Sequence, residues 1–401
     1  MLDRLTIERM AAKAGGGPIL MALSGGGDSV ALLHLLAAEF GTARLRACVV
    51  DHALRDSSGA VAVRAAAFAE KLGVCASIET LLWNTGANRA HEAAREARYA
   101  ALCNVARESG ARVIVTGHTR DDQAETVLIR AARGSGLRGL AGMRALAPVP
   151  IWPEGRGGLL LCRPLLGARR ASLRTYLRDH HADWIEDPAN ANEAYARVRA
   201  RHTLAALEQG GLDPTRLAAI AEKLAPFAEE LDAAALDLIE RAASFDADVI
   251  GVDASRFARA EDAVRQRALF ALVTAAGGHA RGPASEQIAD LDAALTANFT
   301  SATLAGALIR KRGNQLSFTR DRGALEGRAD GTPPLAPLAL TAGTEVVWDR
   351  RLALTAREPG WSVVFEGGAT RLACGEERAD LAAASPHWLL RERVRHVLGR
   401  D

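Results

Sequence analysis

The run Ser24-Gly25-Gly26-Gly27-Asp28-Ser29 joins an apolar stretch, Ile19 to Leu23, to an amphipathic one, Val30 to Phe40. A strand that feeds a helix through three consecutive glycines brings backbone N–H groups close to an anion without obstruction by Cβ atoms. The free donors and positive dipole end of the following helix then favour a phosphate at the turn. Ser24, Asp28 and Ser29 add hydroxyl and carboxylate groups there. The run lacks the lysine that reaches the outer phosphates in the GxxxxGK[ST] loop, so it implies a different use of a nucleotide. A plain glycine-rich turn capped by Asp or Ser is the competing reading.

From residue 19 to about 135, β-like runs alternate with longer helical ones, the pattern of a parallel sheet built from βαβ units. Strands are expected at 19–23, 46–50, 74–80 and 112–116, and helices at 30–40, 58–72, 89–109 and 120–133. Ligands of open α/β sheets gather at the carboxyl ends of strands. There the chain places Ser24 to Ser29, Asp51-His52 and Gly117-His118. Three segments far apart in sequence are thus expected to line one crevice.

A second constellation follows directly, His118-Thr119-Arg120-Asp121-Asp122-Gln123-Ala124-Glu125. On a helix starting near Arg120, Asp121 and Asp122 lie four and three residues before Glu125, so the carboxylates share a face. Beside a phosphate cradle such acids suit Mg²⁺, and His118 suits a phosphate contact or a proton transfer. Acids in a first helical turn also simply complement the helix dipole. In the 89–109 helix, Glu92, Arg95, Arg98 and Tyr99 read on spacing alone as a solvated face with weak ion pairs. Asp51-His52 would put polar groups where a nucleotide base lies, although a lone histidine after a strand is more often structural.

The formal net charge is only +2 across 401 residues, which excludes a uniformly basic nucleic-acid coat but not local patches. Apolar residues make up 49% and charged ones 24%, as in an ordinary globular protein. Cys48, Cys75, Cys103, Cys162 and Cys374 show neither CxxC pairing nor metal-ligand spacing and are expected in cores. With no signal sequence or membrane-length apolar run, the expected location is cytoplasmic.

Further along, Arg163-Pro164-Leu165-Leu166 precedes a helix from about Ala171, and the next helix, from near Asn192, carries Arg197, Arg199 and Arg201. Gly210-Gly211 and Asp213-Pro214 mark a boundary. Residues 214–297 read as Ala- and Leu-rich helices, and 303–320 as a hairpin turning at Arg312-Gly313-Asn314. A linker spans 321–337; strands at 345–348, 352–356 and 362–365 and a helix from about Pro386 complete the chain. The expected organisation is a Rossmann-like α/β domain over 1–210, a mainly helical middle domain with a terminal hairpin over 211–325, and a small α+β domain over 338–401.

In their order, these segments resemble the N-type ATP pyrophosphatase (PP-loop) group and, within it, the tRNA(Ile)-lysidine synthetase family. The resemblance rests on the glycine loop, Val50-Asp51-His52-Ala53-Leu54-Arg55, Glu92 to Tyr99 and Asp121 to Thr126. It continues through Arg133-Gly134-Ser135-Gly136 with Gly139-Leu140, Arg163 to Leu166, and Glu186-Asp187-Pro188-Ala189-Asn190. It implies a ligase that adenylates the wobble cytidine of an isoleucine tRNA with a CAU anticodon, releasing pyrophosphate. The amine of free L-lysine then displaces AMP, and codon reading changes from AUG to AUA.

The resemblance also assigns residues. Ser24, Gly25, Gly26, Gly27, Asp28 and Ser29, with Asp51 and His52, bind ATP; Asp28 and Asp122 hold Mg²⁺. Asp28, His118, Asp121, Asp122 and Glu125 form the catalytic crevice, with carboxylates available to the lysine ammonium. Arg95, Arg197 and Arg201 contact tRNA, and family analogy adds a homodimer. Two departures stand out: Val198 occupies the place of the family's usual asparagine, and the C-terminal region is short. A PP-loop thiolase would need reactive or cluster-binding cysteines. A small-molecule amide synthetase leaves the tRNA-family motifs unexplained, and a noncatalytic RNA-binding relic would be expected to lose its acids.

Overall fold

A computed structural model of the chain describes every residue except 54–56, 84–90, 187–195, 212, 298, 329–330, 332 and 401. Two compact units emerge, Met1–Ala228 and Glu229–Asp401.

The first unit opens with α1 (Arg4–Ala14), N-capped by Asp3, whose carboxylate accepts from the Thr6 amide. There follow β1 (Ile19–Ala22), α2 (Gly27–Phe40), β2 (Leu45–Asp51), α3 (Ser58–Lys71), β3 (Cys75–Thr80), α4 (His91–Ser109), β4 (Val113–Val115) and α5 (Arg120–Ala131). Then come α6 (Leu137–Leu140), β5 (Leu146–Pro148), β6 (Leu160–Cys162), α7 (Arg170–Asp179), α8 (Ala196–Gln209) and α9 (Pro214–Ala242), within which the unit boundary falls.

The sheet order is β3-β2-β1-β4-β6-β5, parallel apart from the antiparallel edge strand β5. All four β1 residues are buried because helices cover both faces. Ile19 and Met21 pack with Val30, Leu33, Ala65 and Leu173 on one face, and Leu20 with Tyr99, Leu102 and Cys103 on the other. Since β2 and β3 extend the sheet to one side of β1 and β4 to the other, the strand order reverses between β1 and β4. Such a switch point opens a crevice above the carboxyl ends of both strands.

The second unit continues through β7 (Ala243–Asp246), β8 (Val249–Asp253), α10 (Ala254–Ala258), α11 (Asp262–Ala276), α12 (Ser285–Thr296), β9 (Ser301–Leu304), β10 (Ala307–Arg312) and β11 (Gln315–Arg320). The expected hairpin is β10–β11, in register Arg312↔Gln315, but it belongs to an antiparallel sheet of order β7-β8-β11-β10-β9. Two of these strands lie inside the stretch read as helical. Their alternate burial, with Ile250 and Val252 pointing to Leu269, Leu272 and Phe318, comes from packing on α11 rather than from local propensity.

After α13 (Gly323–Glu326) come β12 (Leu338–Ala339), β13 (Glu345–Trp348), β14 (Leu352–Thr355), β15 (Ser362–Glu366), β16 (Ala369–Cys374), β17 (Glu377–Ala379), β18 (Pro386–Trp388) and α14 (Leu390–Val397). The final helix starts four residues later than expected, because Pro386–Trp388 pairs with β14. Cys48, Cys103 and Cys162 are buried as expected, whereas Cys75 is exposed at the start of edge strand β3 and Cys374 is half-buried. No helix among the described residues is long and apolar enough to cross a membrane.

Candidate active site

The glycine run forms the turn from β1 into α2. Gly25 has φ +79°, a conformation side chains rarely adopt, and a Cβ there would sit 2.8 Å from the Ile185 side chain and 2.9 Å from that of Ala65. Gly26 is the N-cap of α2 and supplies no side chain to it, so the first N–H groups of the helix remain open to an anion. The Ser29 hydroxyl donates to the Gly26 carbonyl at 2.8 Å and lies 3.1 Å from the Ser24 hydroxyl, bracing the loop from within. A Cβ on Gly117, just beyond β4, would lie 3.0 Å from the Asp28 carbonyl carbon and oxygen. The end of β4 therefore meets the first turn of α2 in backbone contact, and the missing Cβ of Gly117 allows that close approach.

Thr119 caps α5 in a capping box: its amide and hydroxyl donate to Asp122 Oδ2 at 2.8 and 2.7 Å, and the Asp122 amide donates back to its Oγ1. The dipole reading of these acids thus holds for Asp122, without exhausting its role. Its other oxygen, Oδ1, accepts from Arg170 Nη2 at 3.0 Å, and Arg170 Nε donates to Asp28 Oδ2 at 3.0 Å. Arg170 Nη1 lies 3.7 Å from Glu125 Oε1, and the Arg170 amide donates to Asp121 Oδ2 at 2.8 Å. One residue thereby ties the glycine loop to all three expected carboxylates of α5.

Other arginines complete the neutralisation. Arg174 donates to Asp28 Oδ1 at 3.2 Å, packs on the Cα of Gly27 and stacks 5.4 Å from the Trp184 ring. Arg169 pairs with Asp121, and Arg201 donates to Glu125 Oε1 at 2.6 Å. Arg201, expected at tRNA, therefore lies within the acid cluster. Arg169, Arg170 and Arg174 were not singled out by the sequence, although a signal was available: Arg169 and Arg170 occupy the N-cap and first residue of α7, where positive charge opposes the dipole and needs anionic partners.

The electrostatics follow from this packing. Burial raises the Asp28 carboxyl above the ordinary aspartate value despite Arg170 and Arg174. Burial also pushes Asp122 upward, but Arg170, His118 and the Thr119 hydrogen bonds together hold it below that value. Glu125, 1% exposed, is raised by burial and by Asp122, and its Oε2 has no hydrogen-bond partner among the described residues.

Behind the acids lies a basic group. Arg95 stacks 4.9 Å from the Tyr99 ring and donates to its hydroxyl at 3.3 Å. Burial disfavours the Tyr99 phenolate, yet Arg95, Arg163, Arg98 and Arg197 together pull the phenol downward. His118, with Nδ1 2.9 Å from the Thr116 hydroxyl, is driven well below the ordinary histidine value by burial and Arg163, so it is neutral near pH 7. Arg95 thus stands against Tyr99, and Arg197 acts electrostatically on both Tyr99 and His118, whereas Arg201 is paired with Glu125.

At the end of β2, Asp51 Oδ1 accepts from the Ala53 amide at 2.9 Å, and the His52 carbonyl accepts from the Trp83 indole at 2.8 Å. Leu54 and Arg55, and Asp187 to Asn190 of the motif that begins at Glu186, lie outside the described residues. Among the described residues no group of three His, Cys, Asp or Glu side chains is arranged to hold a metal ion.

Residues 3–208 match the family of the PP-loop domain. A tRNA(Ile)-lysidine synthase of Ruegeria pomeroyi is 37% identical over 83% of this chain and 75% of its own length. The enzymes of the same name from Mesorhizobium japonicum and Caulobacter vibrioides are each 37% identical, over 91% and 96% of this chain and 79% and 85% of their own. The solved U34-tRNA thiolase of Methanococcus maripaludis covers 56% of this chain and 78% of its own at 17% identity and TM-score 0.44, a likeness too slight to carry an argument. With the glycine cradle, the acidic helix and matched relatives extending well beyond the first unit, the chain belongs to the tRNA(Ile)-lysidine synthase family of PP-loop proteins.

Proposed function

We propose that this protein joins free L-lysine to the wobble cytidine of an isoleucine tRNA with a CAU anticodon, at the expense of ATP. The carbonyl oxygen on the cytosine ring attacks the α-phosphate of ATP, and pyrophosphate leaves. The lysine amine then attacks the activated ring carbon and AMP departs, leaving lysidine. An amide-like oxygen is a poor leaving group until it is esterified to AMP, which is why adenylation comes first.

The observation that carries this reading is the meeting of the open α2 N-terminus with Asp28, Asp122 and Glu125 at one switch point. The N-terminus and Ser24, Gly26 and Ser29 receive the departing pyrophosphate, whose charge is stabilised by preorganised donors. Oε2 of Glu125, without a partner among the described residues, is a receptor for the lysine ammonium, since a buried carboxylate oxygen without a donor favours a charged one. His118, neutral and fixed through Nδ1, is suited to hold a hydrogen bond to a phosphate rather than to carry charge. Arg95 and Arg197 offer guanidinium planes to phosphate or to unstacked anticodon bases.

Magnesium belongs to the proposal as the companion of the ATP phosphates, a cation commonly bound through one or two carboxylates plus phosphate. Asp28 and Asp122 are the carboxylates beside the cradle, but as arranged they do not fit a metal, because Arg170 donates to both.

The test is incubation with ATP, lysine and a CAU-anticodon isoleucine tRNA, followed by mass analysis of the wobble nucleoside. Lysine incorporation with equimolar AMP is expected; an unchanged cytidine and no AMP would overturn the reading. We also expect Asp28→Ala to abolish pyrophosphate release while tRNA binding, followed by filter retention, persists through distant arginine and backbone contacts. Parallel loss of both would count against this division of roles.

A further inference from the structure

We propose that Arg170 is an internal counter-cation whose guanidinium closes the Asp28–Asp122 pair to divalent metal in the substrate-free protein. All three of its nitrogens face carboxylates: Nε meets Asp28 Oδ2 at 3.0 Å, Nη2 meets Asp122 Oδ1 at 3.0 Å and Nη1 lies 3.7 Å from Glu125 Oε1. These acids come from two segments, the glycine loop and α5, and Arg170 is bonded to both. The remaining oxygens of the pair are also taken, Asp28 Oδ1 by Arg174 and Asp122 Oδ2 by Thr119. Beside them Glu125, 1% exposed, keeps Oε2 without a donor among the described residues, so the acceptors exceed what the guanidinium satisfies.

A cation is therefore in place where sequence reasoning puts a metal. Its location is held by the acids themselves, since the first position of α7 repels positive charge. Removing the guanidinium leaves buried like charges without a counter-ion, a situation relieved by any cation that enters. A divalent ion with oxygen preference suits carboxylates from two segments. A polyphosphate is a natural competitor for Arg170, because the planar fork binds phosphate as readily as carboxylate.

Arg170 is thus a positioning residue, acting through Asp28 and Asp122. The inference shares the site of the proposed ligation and its metal placement, but its test contains no nucleotide, lysine or tRNA, so the two can fail separately. Mn²⁺ binding to the full chain is measured from the electron paramagnetic resonance of the free ion, comparing wild type with Arg170→Gln, Arg170→Lys and the double variant Arg170→Gln/Asp28→Asn. We expect Arg170→Gln to bind one Mn²⁺ at least about tenfold more tightly than wild type, Arg170→Lys to stay closed because it keeps the charge, and the double variant to lose the gain.

Equal affinity in wild type and Arg170→Gln overturns the inference, as does an undiminished gain in the double variant. Should Arg170→Gln fold only marginally, melting supplies the second measurement: Mn²⁺ is expected to raise the Tm of Arg170→Gln but not of the double variant. A Tm unmoved by Mn²⁺ in Arg170→Gln likewise overturns it.

Discussion

Asp122 joins two duties at one carboxylate, closing the N-terminus of α5 with Oδ2 and holding Arg170 with Oδ1. Its folded value lies below the ordinary 3.8 because Arg170, His118 and Thr119 outweigh burial. For an acid whose folded value is depressed, the stabilisation is fully present above the unfolded value and is lost as pH falls through the folded one. Asp122→Asn is therefore expected to lower stability by about 2 kcal/mol near pH 7. The difference in Tm from wild type should shrink as the buffer passes below pH 3.8. A gap unchanged in acid would show that the loss comes from packing. The capping partner separates the two duties: Thr119→Val is expected to cost about 1 kcal/mol, and Thr119→Ser, which keeps the hydroxyl, close to nothing in a urea melt.

At the scale of elements, the site depends on how closely β4 approaches the loop after β1. Gly117→Ala would thrust a Cβ to 3.0 Å from the Asp28 backbone, which has no side-chain freedom to yield. We expect at least a tenfold loss of nucleotide affinity by calorimetry, with a smaller effect on Tm; unchanged affinity would mean that the cradle tolerates displacement. This strand–loop–helix unit and the acidic start of α5 were legible in the sequence because glycine spacing, apolar runs and helix caps are local signals. The arginines of α7 were not. Their partners lie on α2 and α5, far away in sequence, so Arg170 and Arg174 look like a solvated face until α7 is packed over Asp28. Strands β7 and β8 escaped for a related reason: their edges are defined by pairing with β11 and burial on α11, while their surroundings are Ala-rich and helical in character. Likewise Arg201 reads as a free cation on α8, and only tertiary structure pairs it with Glu125.

At the scale of the whole molecule, the acid cluster lies within the first unit, while the second carries its own buried charge group. Asp349 Oδ2 accepts from Arg320 Nε at 3.0 Å and Arg351 Nε at 2.8 Å, with all three side chains under one-tenth exposed. Arg393, 1% exposed, donates to the His279 carbonyl, leaves Nη1 without a hydrogen-bond partner among the described residues and is pushed down to about 9, chiefly by burial. A base with a depressed folded value costs stability wherever it is charged, and that cost fades as pH rises through about 9. Arg393→Met should therefore leave Tm unchanged or raise it at pH 7.5. Asp349→Asn should act in the opposite direction, by about 3–5 kcal/mol, since it strands two buried guanidiniums. Asparagine tolerates the left-handed backbone at this position, φ +50°, so the substitution isolates charge from strain. Because Asp349 belongs to the second unit, we expect Asp349→Asn to melt earlier while retaining wild-type nucleotide affinity at 10 °C. Loss of affinity at a temperature where the variant remains folded would instead tie the integrity of the nucleotide site to the second unit's buried charges.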